Sequence, residues 1–362
     1  MKIEQLTLEN FKCFKTEKTF DFSRLTILTG ANSSGKSSVI HAILMALQSD
    51  DFPNSLSPNG SFLKLGDYKE IANQHDTNKV IQLGFKFSNQ LYKTYWNQDE
   101  ISQLPKFLKI EVVDNDNLNL LKNIEQVSLK NEINRFFKVT NYVSAFRKAP
   151  QRTYYEQNQQ HYKVGIEGEE YIDQIVEWDK RSNGKKKELI KTMLDLDLIE
   201  DLKINRLGGG RFELLVKPIN SNQLSALSDV GSSVSAFMPI IVADLQLPND
   251  STLFLAEPEI HLHPSIQSKF GDYVVNNINN TDKNYVIETH SEYFLNKIRL
   301  AIVKGELKKE DVKVYFLENK GDDTDVYDID FRKNGGIRNA PQSFFETHSM
   351  DVMEIALNAF DE

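Results

Sequence analysis

The chain has 362 residues, of which 40% are hydrophobic and 26% are charged, a balance typical of a globular protein with a large core. Cys13 is its only cysteine, which excludes an internal disulfide and a cysteine-ligated zinc site and suits a reducing cytoplasm. The net charge of −9 argues against binding nucleic acid through overall charge, and no apolar run reaches the roughly 18 residues of a membrane span.

The first fifty residues predict strands, a glycine-rich loop and a helix, in that order. Alternation of apolar and polar residues in "IEQLTLENF" and "KTFDF" predicts two strands of a small side lobe. The apolar run Leu25–Thr29 predicts a buried strand. After the loop, Ile40, Ile43, Leu44 and Leu47 fall on one helical face.

The loop "GANSSGKSS", Gly30–Ser38, fits the phosphate-binding pattern G-x-x-x-x-G-K-[ST] in its expected strand–loop–helix context. Its glycines let backbone N–H groups turn towards an anion, and the helix N-terminus adds its dipole. We expect Lys36 to neutralise phosphate charge and the Ser37 hydroxyl to hold Mg²⁺. The predicted ligands are ATP and Mg²⁺, bound by Gly30, Asn32, Ser33, Ser34, Gly35, Lys36, Ser37 and Ser38.

The middle of the chain carries fewer signals. Val80–Phe87 and Leu108–Val113 predict strands, and "NLLKNIEQVSLKNEINRFF" and "EEYIDQIVEWDKR" predict helices. The basic run Gly184–Lys191 predicts a solvated helix face in preference to a nucleic-acid patch.

After Leu224 strands and helices alternate regularly. "STLFLAEPE" and "NYVIETHS" predict strands, each followed by a helix, and "VYFLE" and "VYDIDF" predict a hairpin. This alternation predicts an α/β fold with a mostly parallel core sheet flanked by helices. We expect one head with three parts: residues 1–114 with the phosphate loop, a mainly helical inserted region at 115–210, and 211–362 with the remaining motifs.

Four motifs in a fixed order resemble those of ABC-type ATPase heads. They are the phosphate loop, "LSDVGSSVS" at Leu227–Ser235, "LFLAEPEIHLHP" at Leu253–Pro264 and "VIETHSEYFL" at Val286–Leu295. This group includes the RecF and SMC heads and the overcoming-lysogenization-defect (OLD) ATPases. The sequence is most similar to its AAA-like bacterial members, many of which belong to antiphage defence systems, and the resemblance covers most of the chain.

The resemblance implies a P-loop ATPase head with an antiparallel β side lobe. It also implies that Glu257, at a strand end, orients or deprotonates the water that attacks the γ-phosphate, and that His290 is the switch histidine that senses this phosphate. A signature segment would cap the ATP bound by a second subunit, which implies an ATP-dependent dimer or higher homo-oligomer. The candidates for this contact in trans are Ser228, Gly231, Ser232 and Ser233.

Two features complicate this interpretation. Related heads usually have an acidic residue before the catalytic glutamate that helps to hold Mg²⁺, whereas this chain has Ala256. Either Mg²⁺ relies on Ser37, the phosphates and water, or hydrolysis is slow. His261 and His263 would share one face if "HLHP" were a strand, as a metal pair requires, but the resemblance implies a subunit-contact loop instead.

The implied function is a slow ATPase that regulates a companion effector, a nuclease or protease, in antiphage defence, with any DNA contact made through a partner. The alternatives are a non-hydrolysing ATP-dependent scaffold, which Ala256 favours, and a DNA-repair ATPase of the RecF type. A nuclease in this chain is a further alternative, since Glu318, Asp328 and Asp330 resemble a metal site. A hairpin explains these residues better, because about 50 residues after Val312 are too few for a nuclease domain.

Overall fold

The computed structural model describes residues 2–114, 117–119, 124–157 and 163–344. The helices are α1 Lys36–Leu47, α2 Tyr68–Ile71, α3 Ile124–Lys138, α4 Tyr171–Arg181, α5 Lys185–Asp195, α6 Ser232–Gln246, α7 Pro264–Asn280 and α8 Glu292–Lys304. The strands are β1 Gln5–Glu9, β2 Lys18–Asp21, β3 Leu25–Gly30, β4 Ile81–Phe87, β5 Gln90–Gln98, β6 Pro105–Asp114, β7 Asn117–Asn119, β8 Thr140–Val143, β9 Tyr154–Tyr155, β10 Ile199–Gly208, β11 Arg211–Pro218, β12 Ser225–Ala226, β13 Thr252–Ala256, β14 Asn284–Glu288, β15 Val312–Asn319, β16 Thr324–Phe331 and β17 Ile337–Arg338.

A central mixed sheet has the order β17-β16-β15-β3-β14-β13-β8. From β15 to β8 all neighbours are parallel, and β15 and β16 form the antiparallel hairpin predicted from the sequence. Because parallel strands place their carboxyl ends at one edge, the residues that follow β3, β13 and β14 come together there. The predicted α/β fold with a mostly parallel core sheet is confirmed.

Two smaller sheets flank this layer. An antiparallel sheet in the order β2-β1-β4-β5-β6-β7 is the side lobe, and β10, β11 and β12 form the other, with β9 paired to β11. The helices pack between these layers because their apolar faces must be buried against a sheet. Among the described residues, none of the helices combines the length and apolarity that crossing a bilayer requires.

Helix α1 lies inside the protein and not on its surface. Beyond the apolar face predicted from the sequence, Val39, Ala42, Met45 and Ala46 are also buried, because the helix is enclosed between the central sheet and the antiparallel side lobe. Alternate residues of β3 divide between two cores: Leu28 faces α1, whereas Ile27 faces the opposite cluster. Helix α1, which follows the phosphate loop, is therefore packed on both sides.

The structure adds detail to one sequence-based expectation and decides between two interpretations of another segment. Residues 115–210 hold helices α3, α4 and α5, but also β8, which pairs with β13 at the edge of the central sheet. "HLHP" is not a strand: His261 lies in a turn with φ of 67°, and His263 is the N-cap of α7, where its Nδ1 accepts from Ser265 N–H. The alternative in which this segment is a strand with both rings on one face is therefore wrong, because Pro264 begins a helix here.

Candidate nucleotide-binding site

The phosphate loop runs from the end of β3 into α1. Gly30 has φ of 134°, and a Cβ there would lie 2.2 Å from the Leu317 carbonyl oxygen. Gly35 is the N-cap of α1 with φ of 103°, and its Cβ would meet Cys13 Sγ at 2.3 Å. Only glycine fits both positions, and the resulting turn leaves the first N–H groups of α1 free to face an anion.

Lys36 is held in the loop by hydrogen bonds to backbone carbonyls. Its Nζ donates to the Gly30 carbonyl at 3.1 Å and to the Ala31 carbonyl at 2.8 Å. The residue is only 3% exposed, and burial lowers the pKa of its ammonium group. A buried cation bound only by neutral carbonyls favours an anion such as a phosphate in the adjacent space.

A cavity of about 530 Å³ opens beside the loop. Its walls combine loop residues with side chains that follow β13 and β14, so the structure brings together motifs more than 200 residues apart in sequence. Its lining is Lys12, Cys13, Asn32, Ser33, Ser34, Gly35, Lys36, Ser37, Ser38, Glu257, Glu288 and His290. The predicted residue Gly30 is not part of this lining. Its carbonyl oxygen accepts a hydrogen bond from Lys36 Nζ.

Glu257 follows the last residue of β13 and has φ of 44°, a left-handed conformation that is unfavourable for a residue before proline. The neighbouring strand holds it there, since Glu257 N–H donates to the Glu288 carbonyl at 2.8 Å. Arg147 Nη2 donates to the Glu257 carbonyl at 3.3 Å. The side chain remains 33% exposed, so its carboxylate is available to water in the cavity.

His290 lies at the mouth of the cavity, with Nε2 3.9 Å from Glu257 Oε1. Partial burial and the nearby Lys36 charge lower its pKa, so the ring is neutral at pH 7. Its backbone is fixed by Glu259, whose Oε1 accepts from His290 N–H at 2.6 Å and from Thr289 Oγ1 at 2.8 Å. A neutral imidazole can donate to, or accept from, a phosphate or water at this point.

The arrangement agrees with the comparisons to known proteins. A family model described as an AAA ATPase domain matches residues 1–206 and 174–295. The chain belongs to this AAA ATPase domain family. An ATP/GTP phosphatase from Helicobacter pylori is 30% identical over 167 residues, which cover 38% of this chain and 45% of that protein. The chain therefore matches less than half the length of that relative.

Solved SMC head domains share the fold of this AAA ATPase domain. One is an SmcHead bound to the C-terminal winged-helix domain of ScpA, with a TM-score of 0.56 at 13% identity, covering 92% of this chain and 99% of that chain. Another, derived from Pyrococcus furiosus, has an extended coiled coil and is bound to the C-terminal domain of ScpA. Its TM-score is 0.51 at 11% identity, and the match covers 98% of this chain and 99% of that chain.

The residues predicted from the sequence to form a signature segment lie outside the lining of the cavity. Gly231 and Ser232 are exposed at the start of α6, and Ser228 and Ser233 are half-buried. Within the described residues, none of these four lines the cavity. Gly231 caps α6 without a side-chain hydrogen bond, so the first N–H groups of the helix are open to an external acceptor.

Sequence reasoning missed three residues of the cavity wall: Lys12, Cys13 and Glu288. The first two come from the loop after β1, and no local pattern places that loop beside the phosphate loop. Glu288 had a weak signal, since it is an acidic residue that ends an apolar strand two residues before His290. Its Oε1 accepts from Ser37 Oγ at 2.7 Å, and burial raises the pKa of its carboxyl group.

Proposed function

We propose that this chain is an ATP-hydrolysing head. The observation that carries the proposal is the convergence of Lys36, Ser37, Glu257 and His290 on one cavity at the carboxyl edge of a parallel sheet. A basic loop on a helix N-terminus binds polyphosphate, and a carboxylate opposite it can act on water. Membership of the AAA ATPase domain family and the likeness to an ATP/GTP phosphatase support the same chemistry.

Each residue would contribute one part of phosphoryl transfer to water. Lys36 would exchange its two carbonyl contacts for phosphate oxygens and neutralise their charge. Glu257 would accept a hydrogen bond from the attacking water and orient or deprotonate it. His290, neutral and at the cavity mouth, would contact the γ-phosphate and report its presence. The strained backbone of Glu257 would fix the direction of its carboxylate.

Mg²⁺ is the metal that suits this site. The Ser37 hydroxyl lines the cavity together with carboxylates, and Mg²⁺ prefers oxygen ligands. Ser37 would therefore hold the ion, which when bound neutralises charge on the phosphates of ATP. The proposed nucleotide ligands among the loop residues are those predicted from the sequence, with Gly30 acting through its backbone.

We propose further that ATP joins two copies of the chain. Ser228, Gly231, Ser232 and Ser233 would grip the γ-phosphate bound by the other copy. The exposure of Gly231 and Ser232, and the separation of all four residues from the cavity of their own chain, support a contact in trans. The composite site would form only when ATP bridges the two surfaces, so nucleotide would control assembly.

The closed assembly would regulate a companion effector, a nuclease or protease, in a cytoplasmic antiphage system of the OLD-like kind. The SMC heads of the same fold are solved with a bound ScpA domain, which supports a head that acts through a partner. DNA contact would also come through a partner. In the basic run of α5, Lys185 and Lys186 are already paired, with Glu188 at 3.1 Å and with Asp179 at 2.8 Å.

Two substitutions test the ATPase proposal. Lys36→Ala should abolish ATP binding in calorimetry, because the buried cation that attracts the phosphates is lost. Glu257→Gln should keep ATP affinity but lower the turnover by about 10²–10⁴-fold, the contribution of a positioned general base. Unchanged ATP affinity in Lys36→Ala would refute the site assignment.

A non-hydrolysing scaffold is the second candidate, and the observation that favours it is Ala256 at the usual acidic position. A scaffold would bind ATP and assemble, but would release no phosphate above the level of Lys36→Ala. Wild-type turnover equal to that of Glu257→Gln would favour the scaffold over the ATPase.

A further inference from the structure

We propose that Glu288 is the acidic residue of the Mg²⁺ site, supplied by β14 in place of the acid that β13 lacks at Ala256. This inference rests on the proposed ATPase function. It assigns to the metal a residue that lies outside both the phosphate loop and the glutamate motif.

The first support is the contact between Glu288 and the phosphate loop. Glu288 Oε1 accepts from Ser37 Oγ at 2.7 Å, so the carboxylate already lies against the hydroxyl that is expected to hold the metal. The two residues are 251 positions apart in sequence, and the contact depends on β14 being the direct neighbour of β3. A divalent cation placed between them would have two protein oxygens within reach.

The second support is an unsatisfied oxygen. Glu288 is only 3% exposed, yet its Oε2 has no hydrogen-bond partner among the described residues, and the side chain lines the cavity. A buried carboxylate oxygen without a partner is costly, and pairing with a cation removes that cost. The positive charge of Lys36 acts on Glu288 from nearby, but its Nζ donates its hydrogen bonds to the Gly30 and Ala31 carbonyls and not to Oε2.

The third support is strand register. Ala256 and Glu288 are directly paired in the parallel ladder of β13 and β14. Both lie on the α1 side of the sheet, because Ala256 and Val286, two residues before Glu288, pack in the cluster that contains α1. A carboxylate lost at position 256 is therefore replaced at the same level, one strand nearer to the phosphate loop.

One carboxylate and one hydroxyl are enough for this ion. Mg²⁺ usually keeps several waters and takes one or two protein carboxylates together with substrate phosphates. Among the described residues no cluster of three or more His, Cys, Asp or Glu side chains is arranged to hold a metal. The site is thus incomplete until ATP brings its phosphates, which would couple metal binding to nucleotide binding.

The test is metal affinity measured apart from turnover, with Mn²⁺ as the probe because its electron paramagnetic resonance signal distinguishes free from bound ion. Purified full chain is titrated with Mn²⁺ in the presence of ATP. Calorimetry with ATP in EDTA gives metal-free nucleotide affinity for the same variants. The variants are Glu288→Gln, which keeps shape but removes charge, and Glu288→Asp, which keeps charge.

We expect Glu288→Gln to bind ATP in EDTA like the wild type but to bind Mn²⁺ about 10–100-fold more weakly. Glu288→Asp should lose less metal affinity than Glu288→Gln. Adding Ala256→Asp to Glu288→Gln should recover metal affinity, because it returns a carboxylate to the neighbouring strand at the same level.

Wild-type Mn²⁺ affinity in Glu288→Gln would overturn this assignment while leaving the ATPase proposal intact. Loss of ATP binding in EDTA as well would also overturn it, since Glu288 would then shape the nucleotide pocket and not the metal site. If the wild type binds no nucleotide with or without metal, the ATPase proposal fails, and the assignment of Glu288 fails with it.

Discussion

A buried polar network joins α6 to α7 and β14, and its removal gives a measurable prediction. Asp244 on α6 is 1% exposed and accepts from side chains of α7 and β14. Lys283 Nζ lies 3.1 Å from its Oδ1, Tyr285 OH donates at 3.1 Å, Asn277 Nδ2 donates at 3.0 Å, and Tyr273 OH donates to Oδ2.

Replacing Asp244 by Asn keeps the shape but removes the charge that compensates Lys283, whose side chain is only 7% exposed. Breaking a buried ion pair by removing one partner costs about 3–5 kcal/mol. Proteins are stable by roughly 5–15 kcal/mol, so this change should remove a large part of the free energy of unfolding. For a chain of 362 residues this corresponds to a fall in melting temperature of about 4–7 °C.

The matched control is a pair of the same charge type on the surface of α7, a helix whose side chains contact Asp244. Asp272 on α7 pairs with Lys297 at 2.8 Å, but the Asp272 side chain is 54% exposed. Asp272→Asn should therefore cost only about 0–1 kcal/mol. Urea unfolding followed by circular dichroism compares the two variants with the wild type.

A double variant separates charge loss from packing loss. Asp244→Asn combined with Lys283→Met removes both charges, so it should be less destabilised than the sum of the two single variants. If Asp244→Asn unfolds at the same urea concentration as Asp272→Asn, or if the double variant shows the full sum, the network does not anchor α6 to the core.

Two further predictions concern assembly and acid stability. Ser232→Arg should abolish ATP-dependent assembly, measured by light scattering in the Glu257→Gln background, while ATP binding is kept. The control is Ser61→Arg at an exposed position. If Ser232→Arg assembles like the wild type, the contact in trans is refuted. Burial, and to a lesser degree Lys12, lowers the pKa of His41 to about 4 from an ordinary 6.5, so the unfolded chain binds this proton first as the pH falls. The free energy of unfolding should then drop by at most about 3 kcal/mol between pH 6.5 and 4 and level off below, and His41→Gln should show a shallower fall in pH-dependent urea unfolding.

Local patterns predicted the elements that determine the site. The phosphate loop needs glycine at two positions and a lysine and hydroxyl after them, and all of these lie within nine residues, so neighbouring positions in sequence are neighbours in space. The strands that end at Ala256 and Glu288 were evident because a strand buried on both faces is a continuous apolar run. The hairpin of β15 and β16 was predictable because a turn-rich segment separates two β-branched and aromatic runs.

Other features were decided by contacts that no local pattern specifies. The sequence does not indicate that β14 lies between β3 and β13, because strand order depends on the packing of the whole sheet. That order brings Glu288 to Ser37 across 251 residues, and it places Arg147 against the Glu257 carbonyl. The edge position of β8 also depends on tertiary packing. The cap formed by His263 depends on where helix α7 starts.

The sequence by itself therefore determined the pattern of a phosphate-binding loop and an acidic strand end, because both depend on residues that are adjacent in the chain. Only the tertiary structure decided which carboxylate lies against Ser37. The sequence alone suggested a missing acid at Ala256, whereas the parallel register of β13 and β14 brings a second carboxylate to the same level. The proposed metal role of Glu288 depends on this register, because the distance between two strands is fixed by folding and not by either strand's own sequence.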